Sequence, residues 1–233
     1  MKHNWTEFWR GKNEFDRSMD VNFTYFLSRV TKYVSFNKSL NVLDIGSGPG
    51  HLEDSIYHKV NEIHGVDVSE RYNLNAREKH KDHPNVFFHD LSATDYLNFS
   101  MLNGKKFDII IVMSVLQYYK SKDEVLLLLK NLMPFTTKGS KILLCDLIVQ
   151  QSAFKEIIEI MIEYLKAGKI IYAVSLFFRL RFSQYYQVKK NNGFLILTEQ
   201  DWKEILSQLG LKGSFIKEKL TLHKRRKNIL IEM

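Results

Sequence analysis

Short apolar runs alternate with helix-period stripes through the first 150 residues. Asn41-Val42-Leu43-Asp44-Ile45 is a nearly continuous apolar run that ends in glycines, the pattern of a buried strand. Leu52, Ile56 and Val60 then recur at helical spacing. Residues 62–66 read as a second strand, 69–81 as a polar helix, 85–89 as a third strand announced by Pro84, and 107–113 as a fourth. Val125, Leu128, Leu129 and Leu132 form the apolar stripe of the next helix, and 140–146 read as a fifth strand. Strands alternating with helices of this length imply right-handed crossovers. The expected fold class is therefore α/β, a doubly wound, mostly parallel sheet with helices on both faces.

The flanks read differently. Residues 21–36 form an amphipathic helix with Phe23, Phe26, Leu27, Val30 and Val34 on one side. Ahead of it, 5–17 is aromatic and charged and can fold over a site as a lid. Residues 154–182 are a long, mostly helical stretch with many apolar residues that look exposed. Thr198-Glu199-Gln200-Asp201 opens a helix carrying Trp202, Ile205, Leu206 and Leu209, with Gly210 as its stop. Residues 213–222 and 228–233 read as two strands joined by a basic turn, an antiparallel hairpin. The sheet is thus expected to have seven strands, with one antiparallel strand at its end.

The chain of 233 residues, 45% of them hydrophobic, can bury one sizeable core. Prolines are scarce and no Ser/Gly-rich linker appears, so one domain is expected over 1–233. Lys+Arg exceeds Asp+Glu by 34 to 26, a formal charge of +8. That balance permits nucleic acid, an anionic membrane surface or an acidic substrate as partner. The excess is spread along the chain, which favours a solvated surface. The clearest cluster is His223-Lys224-Arg225-Arg226-Lys227; its turn, Lys224 to Lys227, can touch phosphate but reads first as a solvated hairpin tip. The lone Cys145 excludes an internal disulfide framework and suits a reducing compartment. Residues 1–10 lack an apolar signal-like region, and the run 170–178 is too short to span a bilayer, so a cytoplasmic protein without a transmembrane segment is expected. No His/Cys/Asp/Glu spacing resembles a metal site.

Three aspartates fall at or near the ends of the first three strands. Asp44, Asp67 and Asp90 are spaced 23 residues apart, one strand-helix unit each time. Ligands of open parallel sheets bind at those carboxyl ends. Beside Asp44, the run Gly46-Ser47-Gly48-Pro49-Gly50 lets backbone approach a ligand closely. A dinucleotide loop would follow G-x-G-x-x-G, but His51 stands at the sixth position. Asp44 would also repel a pyrophosphate. It would attract a sulfonium and an α-ammonium group, both of which S-adenosylmethionine carries. Asp67 can accept hydrogen bonds from ribose hydroxyls, a feature shared with NAD sites. Asp90 can accept one from an adenine amino group, with Leu91 packing on the ring. His89, by strand alternation, points away from Asp90.

Val42-Leu43-Asp44-Ile45-Gly46-Ser47-Gly48-Pro49-Gly50-His51-Leu52 resembles motif I of the class I S-adenosylmethionine-dependent methyltransferases. Gly65-Val66-Asp67-Val68-Ser69 and Phe88-His89-Asp90-Leu91 resemble the second- and third-strand motifs of that family, residues 107–118 its fourth, and 139–146 its fifth. The resemblance implies a Rossmann-like fold and S-adenosyl-L-methionine as cofactor. It places Asp44 near the methionine ammonium, Gly46, Ser47, Gly48 and Gly50 around the methionine moiety, Asp67 and Val68 at the ribose, Asp90 and Leu91 at the adenine, and Met113 and Ser114 on the methyl side. The Asn/Asp-Pro-Pro-Tyr run of the subgroups that modify amino groups of bases or glutamine is missing after the fourth strand. Gln117 and Tyr118 stand instead where small-molecule enzymes place a His or Tyr pair, and are the substrate candidates.

The expected acceptor is an O, N or C atom of a small-molecule, sugar or lipid-like compound. An RNA or protein methyltransferase and a non-catalytic binding module are the alternatives. Residues 1–38 are read as lid and helix, and 150–197 as a helical substrate cap. The stretch 154–182 has two other readings, a homodimer surface within 150–185 or a membrane-surface helix.

Overall fold

The computed structural model describes residues 5–10, 16–150, 184–223 and 225–233. Its strands are β1 Asn41–Ile45, β2 Glu62–Asp67, β3 Val86–Asp90, β4 Phe107–Met113, β5 Thr136–Ile148, β6 Lys212–Ile216 and β7 Arg226–Glu232. They form one sheet in the order β3-β2-β1-β4-β5-β7-β6. β1 to β5 are parallel, and β7 runs antiparallel to both β5 and β6. The helices are α1 Trp5–Arg10, α2 Asp16–Val30, α3 His51–Ile56, α4 Glu70–Lys79, α5 Lys122–Leu132, α6 Gln184–Asn192 and α7 Glu199–Gln208.

Alternate residues of the central strands feed two cores. On one face, Leu43, Ile45, Ile110, Val112, Ile142 and Leu144 pack with Val125, Leu128, Leu129 and Leu132 of α5 and Trp202, Ile205 and Leu206 of α7. On the other, Val42, Ile63, Ile109, Ile111, Met113 and Leu143 meet Phe26 and Val30 of α2 and Leu52 and Ile56 of α3. β4 alone buries Ile109 to Met113 without a break. At about 1.5–3 kcal/mol per fully buried side chain, it anchors both layers. α7 starts where expected, and the structure adds a capping box there: Thr198 Oγ1 accepts from Asp201 N, and Asp201 accepts from Thr198 N at 2.9 Å.

Several boundaries differ from the sequence pattern. The antiparallel strand β7 lies inside the sheet, and β6 takes the edge. β6 stops at Ile216 rather than 222 because the chain then turns inward: Leu220 is fully buried in the second core, and Thr221 Oγ1 donates to Asp146. β5 is longer than 140–146, and its pairing with β7 shifts register between Leu144 and Leu147. The helix expected over 21–36 runs from Asp16 to Val30, and that over 69–81 from Glu70 to Lys79. The cap, dimer and membrane-surface readings of 154–182 fall on residues outside those described. Among the described residues no helix is long and apolar enough to cross a membrane.

Candidate active site

Strand order reverses between β1 and β4, since β1 is flanked by β2 on one side and β4 on the other. A crevice opens at such a reversal beyond the carboxyl ends of the strands, and the loop 46–50 lies there. Gly46 has φ +77°, and an added Cβ would overlap Val115 Cγ2. Gly46→Ala is therefore expected to destabilise the protein by about 2–4 kcal/mol, lowering Tm in a thermal melt by roughly 5–15 °C. Gly48 differs. Its φ is +54°, and a Cβ there would meet nothing within 4 Å. That open space is room for a ligand against bare backbone. Gly50, by contrast, opens α3 and faces the Phe88 ring.

Three carboxylates lie under this loop. Asp67 ties the end of β2 to it: Oδ2 accepts from Gly48 N at 2.9 Å and Oδ1 from Ser69 N at 2.7 Å. Burial nevertheless raises its pKa above the usual range. Asp44 is 2% exposed and its Oδ2 has no hydrogen-bond partner. Burial, with Asp67 nearby, pushes its pKa up to about 8. The third, Glu53 on α3, is fully buried, and neither carboxylate oxygen has a partner on another residue. Burial and the neighbouring Asp44 push it well above the normal carboxylate range. Gly65 makes room for it, since a Cβ there would stand 2.5 Å from Glu53 Oε1 and 2.8 Å from Ser47 Oγ. Ser47 Oγ is also buried and unpartnered. Among the described residues, no lysine or arginine forms an ion pair with Asp44, Glu53 or Asp67. A cation is what the cluster lacks.

The ends of β2 and β3 are fastened together. Asn73 Nδ2 donates to Asp67 O, His89 O and Asp90 Oδ1 at 3.0, 3.1 and 2.8 Å. Arg77 Nη2 reaches Asp90 Oδ2 at 2.7 Å, yet the Asp90 side chain stays 52% exposed. Leu91 is buried and its N–H donates to Asp67 O, with half-buried Val68 packed on the same core. His89 does turn away: it stacks on His64 with 2.9 Å between ring nitrogens, and burial pushes it down to about 4.

On the β4 and β5 side, Met113 is buried, and Ser114 and Asp146 both have positive φ, +58° and +66°. Non-glycine residues hold such conformations only where their surroundings enforce them. Here Ser114 Oγ donates to Asp146 Oδ2 at 2.8 Å, Thr221 Oγ1 to Asp146 Oδ1 at 3.0 Å, and Asp146 N to Asn228 Oδ1 at 3.1 Å. The two substrate candidates part company. Gln117 is buried and its Oε1 accepts from Arg226 Nη1 at 2.8 Å. Tyr118 lies in an aromatic cluster with Trp5, Trp9 and Phe194, its ring 4.8 Å from that of Trp5. Trp5 Nε1 also donates to Gly193 O, so α1 is seated beside the 3₁₀ turn Leu116–Tyr118. Arg226, read from sequence as part of a solvated tip, is buried instead. It starts β7, and its guanidinium reaches into the interior.

Glu53 and the Asp146 network escaped the sequence pattern. The one signal for Glu53 was a charged residue directly after Leu52 on a helix walled in by strands.

Residues 36–210 match the family model described as "Methyltransferase domain". The chain belongs to the class I methyltransferases, which use S-adenosylmethionine. Solved methyltransferase structures share its fold at low identity. Phosphoethanolamine N-methyltransferase 1 of Haemonchus contortus, in complex with phosphoethanolamine and S-adenosylhomocysteine, is 15% identical with a TM-score of 0.66, covering 98% of this chain and 47% of that one. Magnesium protoporphyrin IX methyltransferase of Synechocystis PCC 6803, with bound S-adenosylhomocysteine, is 16% identical with a TM-score of 0.56, covering 98% and 94%. The N-methyltransferase NodS of Bradyrhizobium japonicum WM9 is 16% identical with a TM-score of 0.53, covering 98% and 91%. Comparison with curated protein sequences finds no match.

Proposed function

We propose that this methyltransferase transfers the methyl group of S-adenosylmethionine to an O, N or C atom of a small-molecule, sugar or lipid-like acceptor. The observation that carries the cofactor assignment is the buried carboxylate cluster without a cation, set beneath a loop whose Gly48 faces open space. In this reading Asp44 Oδ2 receives the ammonium of the methionine moiety, and Gly46, Ser47, Gly48 and Gly50 surround that moiety. Asp67 has lone pairs left over for ribose hydroxyls. Asp90, Leu91 and Val68 hold the adenine. Bound, the cofactor supplies an electrophilic methyl group on a good leaving group.

The remaining work falls to positioning, which contributes roughly 7–11 kcal/mol when reacting atoms are held in line. Met113 and Ser114 line the methyl side. The hydrogen bonds that lock Ser114 to Asp146 keep that wall from yielding. α1, seated on Tyr118, serves as a lid that excludes water. The small-molecule assignment draws on Gln117-Tyr118 and on the phosphoethanolamine and magnesium protoporphyrin IX enzymes that share the fold.

Incubation with methyl-labelled cofactor and a fractionated cell extract tests this reading. Label is expected in a low-molecular-weight fraction. Label in RNA with steeply salt-dependent binding, or in protein, would overturn the acceptor class. No transfer to any fraction would point to a binding module.

A further inference from the structure

A second polar recess lies outside the carboxylate cluster. A cavity of about 520 Å³ is walled by Arg10 at the end of α1 and by Glu70, Arg71, Leu74 and Asn75 of α4. Arg71 Nε and Nη2 are buried and have no hydrogen-bond partner. Among the described residues neither Arg10 nor Arg71 has a carboxylate partner, and Glu70, on the same wall, pairs with neither. Arg77, further along α4, by contrast holds Asp90 Oδ2 and donates to Phe88 O. A guanidinium is always charged and presents its N–H donors in a rigid fork. Leaving such donors dry carries their full desolvation penalty. The group that matches the fork is a carboxylate or phosphate, bound through two parallel hydrogen bonds. The second cation, Arg10, adds to the pull on an anion. Leu74, 55% exposed on the same wall, offers a carbon surface beside it.

We propose that Arg10 and Arg71 form a binding site for an anionic oxygen group, a phosphate ester or carboxylate, carried by the methyl acceptor. The site adjoins the cofactor bed, because Glu70 follows Asp67 by three residues at the start of α4. It also joins α1 to α4, so an occupant would hold α1 in place. The acceptor would then be an acidic compound with a short apolar part against Leu74. That part of the assignment rests on the methyltransferase reading; the anion site itself does not.

The test uses the full chain saturated with S-adenosylhomocysteine and titrated with inorganic phosphate. Phosphate should bind the unaltered protein, and Arg71→Gln and Arg10→Gln should each weaken it at least tenfold. Arg71→Lys, which keeps the charge but loses the fork, should fall between. Affinity for S-adenosylhomocysteine should change less than twofold. Equal phosphate binding by wild type and Arg71→Gln would overturn the site. A parallel drop in S-adenosylhomocysteine affinity would overturn its separateness from the cofactor bed. In the labelled-transfer assay the product should be retained on anion exchange, and phosphate should compete with the acceptor. A neutral product, with phosphate still bound at Arg71, would leave free phosphate as the ligand and overturn the acceptor assignment. Cofactor binding and transfer measured without phosphate report separately on the methyltransferase reading.

Discussion

Lowering the pH from 8 to 6 is expected to weaken S-adenosylmethionine binding by as much as roughly a hundredfold. Asp44 must be ionised to receive an ammonium group. In the ligand-free protein burial, reinforced by Asp67, holds its proton up to about pH 8. Each pH unit below that value then costs about 1.4 kcal/mol, tenfold in affinity, because the proton has to leave before the ammonium can pair. Above pH 8 the gain ends, since an α-amino group itself loses its proton near 7.7–8.0.

The sign for stability is opposite. A carboxyl whose folded pKa is raised stabilises the fold in its neutral form. That contribution is complete below about pH 4, the unfolded value, and is lost as pH rises toward 8. The ligand-free protein should thus melt lower at pH 8 than at pH 5, while the rise in Tm on adding cofactor should grow over the same interval. Glu53 acts in the same direction. Asp44→Asn should flatten the pH profile and raise ligand-free stability while lowering affinity at pH 8. Calorimetry across pH 6–8, in buffers of different ionisation enthalpy, reads both the affinity and the proton released. A flat profile with no proton release would show that Asp44 does not titrate on binding.

The architecture was legible in the sequence because buried parallel strands leave a simple mark. Asn41–Ile45 and Phe107–Met113 are mostly apolar on both faces, as strands covered on both sides must be, and both have the expected bounds. The spacing of Asp44, Asp67 and Asp90 brought three strand ends together for the same reason. What periodicity could not show was charge turned inward. Glu53 reads as the polar face of a helix, yet the missing Cβ of Gly65, distant in sequence, gives it a buried berth. Arg226 sits in a basic run that resembles a solvated turn, but its guanidinium is buried and donates to Gln117 Oε1 inside. Leu220 and Thr221 continue a strand-like pattern while leaving the sheet, because the buried carboxylate of Asp146 draws the Thr221 hydroxyl inward. Each depends on a partner remote in the chain.

Loss of the Asp67 carboxylate is expected to have the largest effect on the cofactor. Its oxygens already accept from Gly48 and Ser69 N–H groups, so it both shapes the loop and offers the lone pairs that remain. Hydrogen bonds to a charged group contribute about 1.5–3 kcal/mol each. Two of them to a ribose would be worth roughly two to four orders of magnitude in affinity. Asp67→Ala removes both functions. Asp67→Asn keeps the shape but turns an amide donor toward a backbone N–H, and a thermal melt of each variant separates lost binding from lost fold. The most direct measurement is a calorimetric titration of S-adenosylmethionine into wild type and Asp67→Ala at pH 8. One site per chain in the wild type, weakened a hundredfold or more in a variant that still melts cooperatively, is the predicted result. Equal affinity in the two proteins would contradict the placement of the cofactor in this bed.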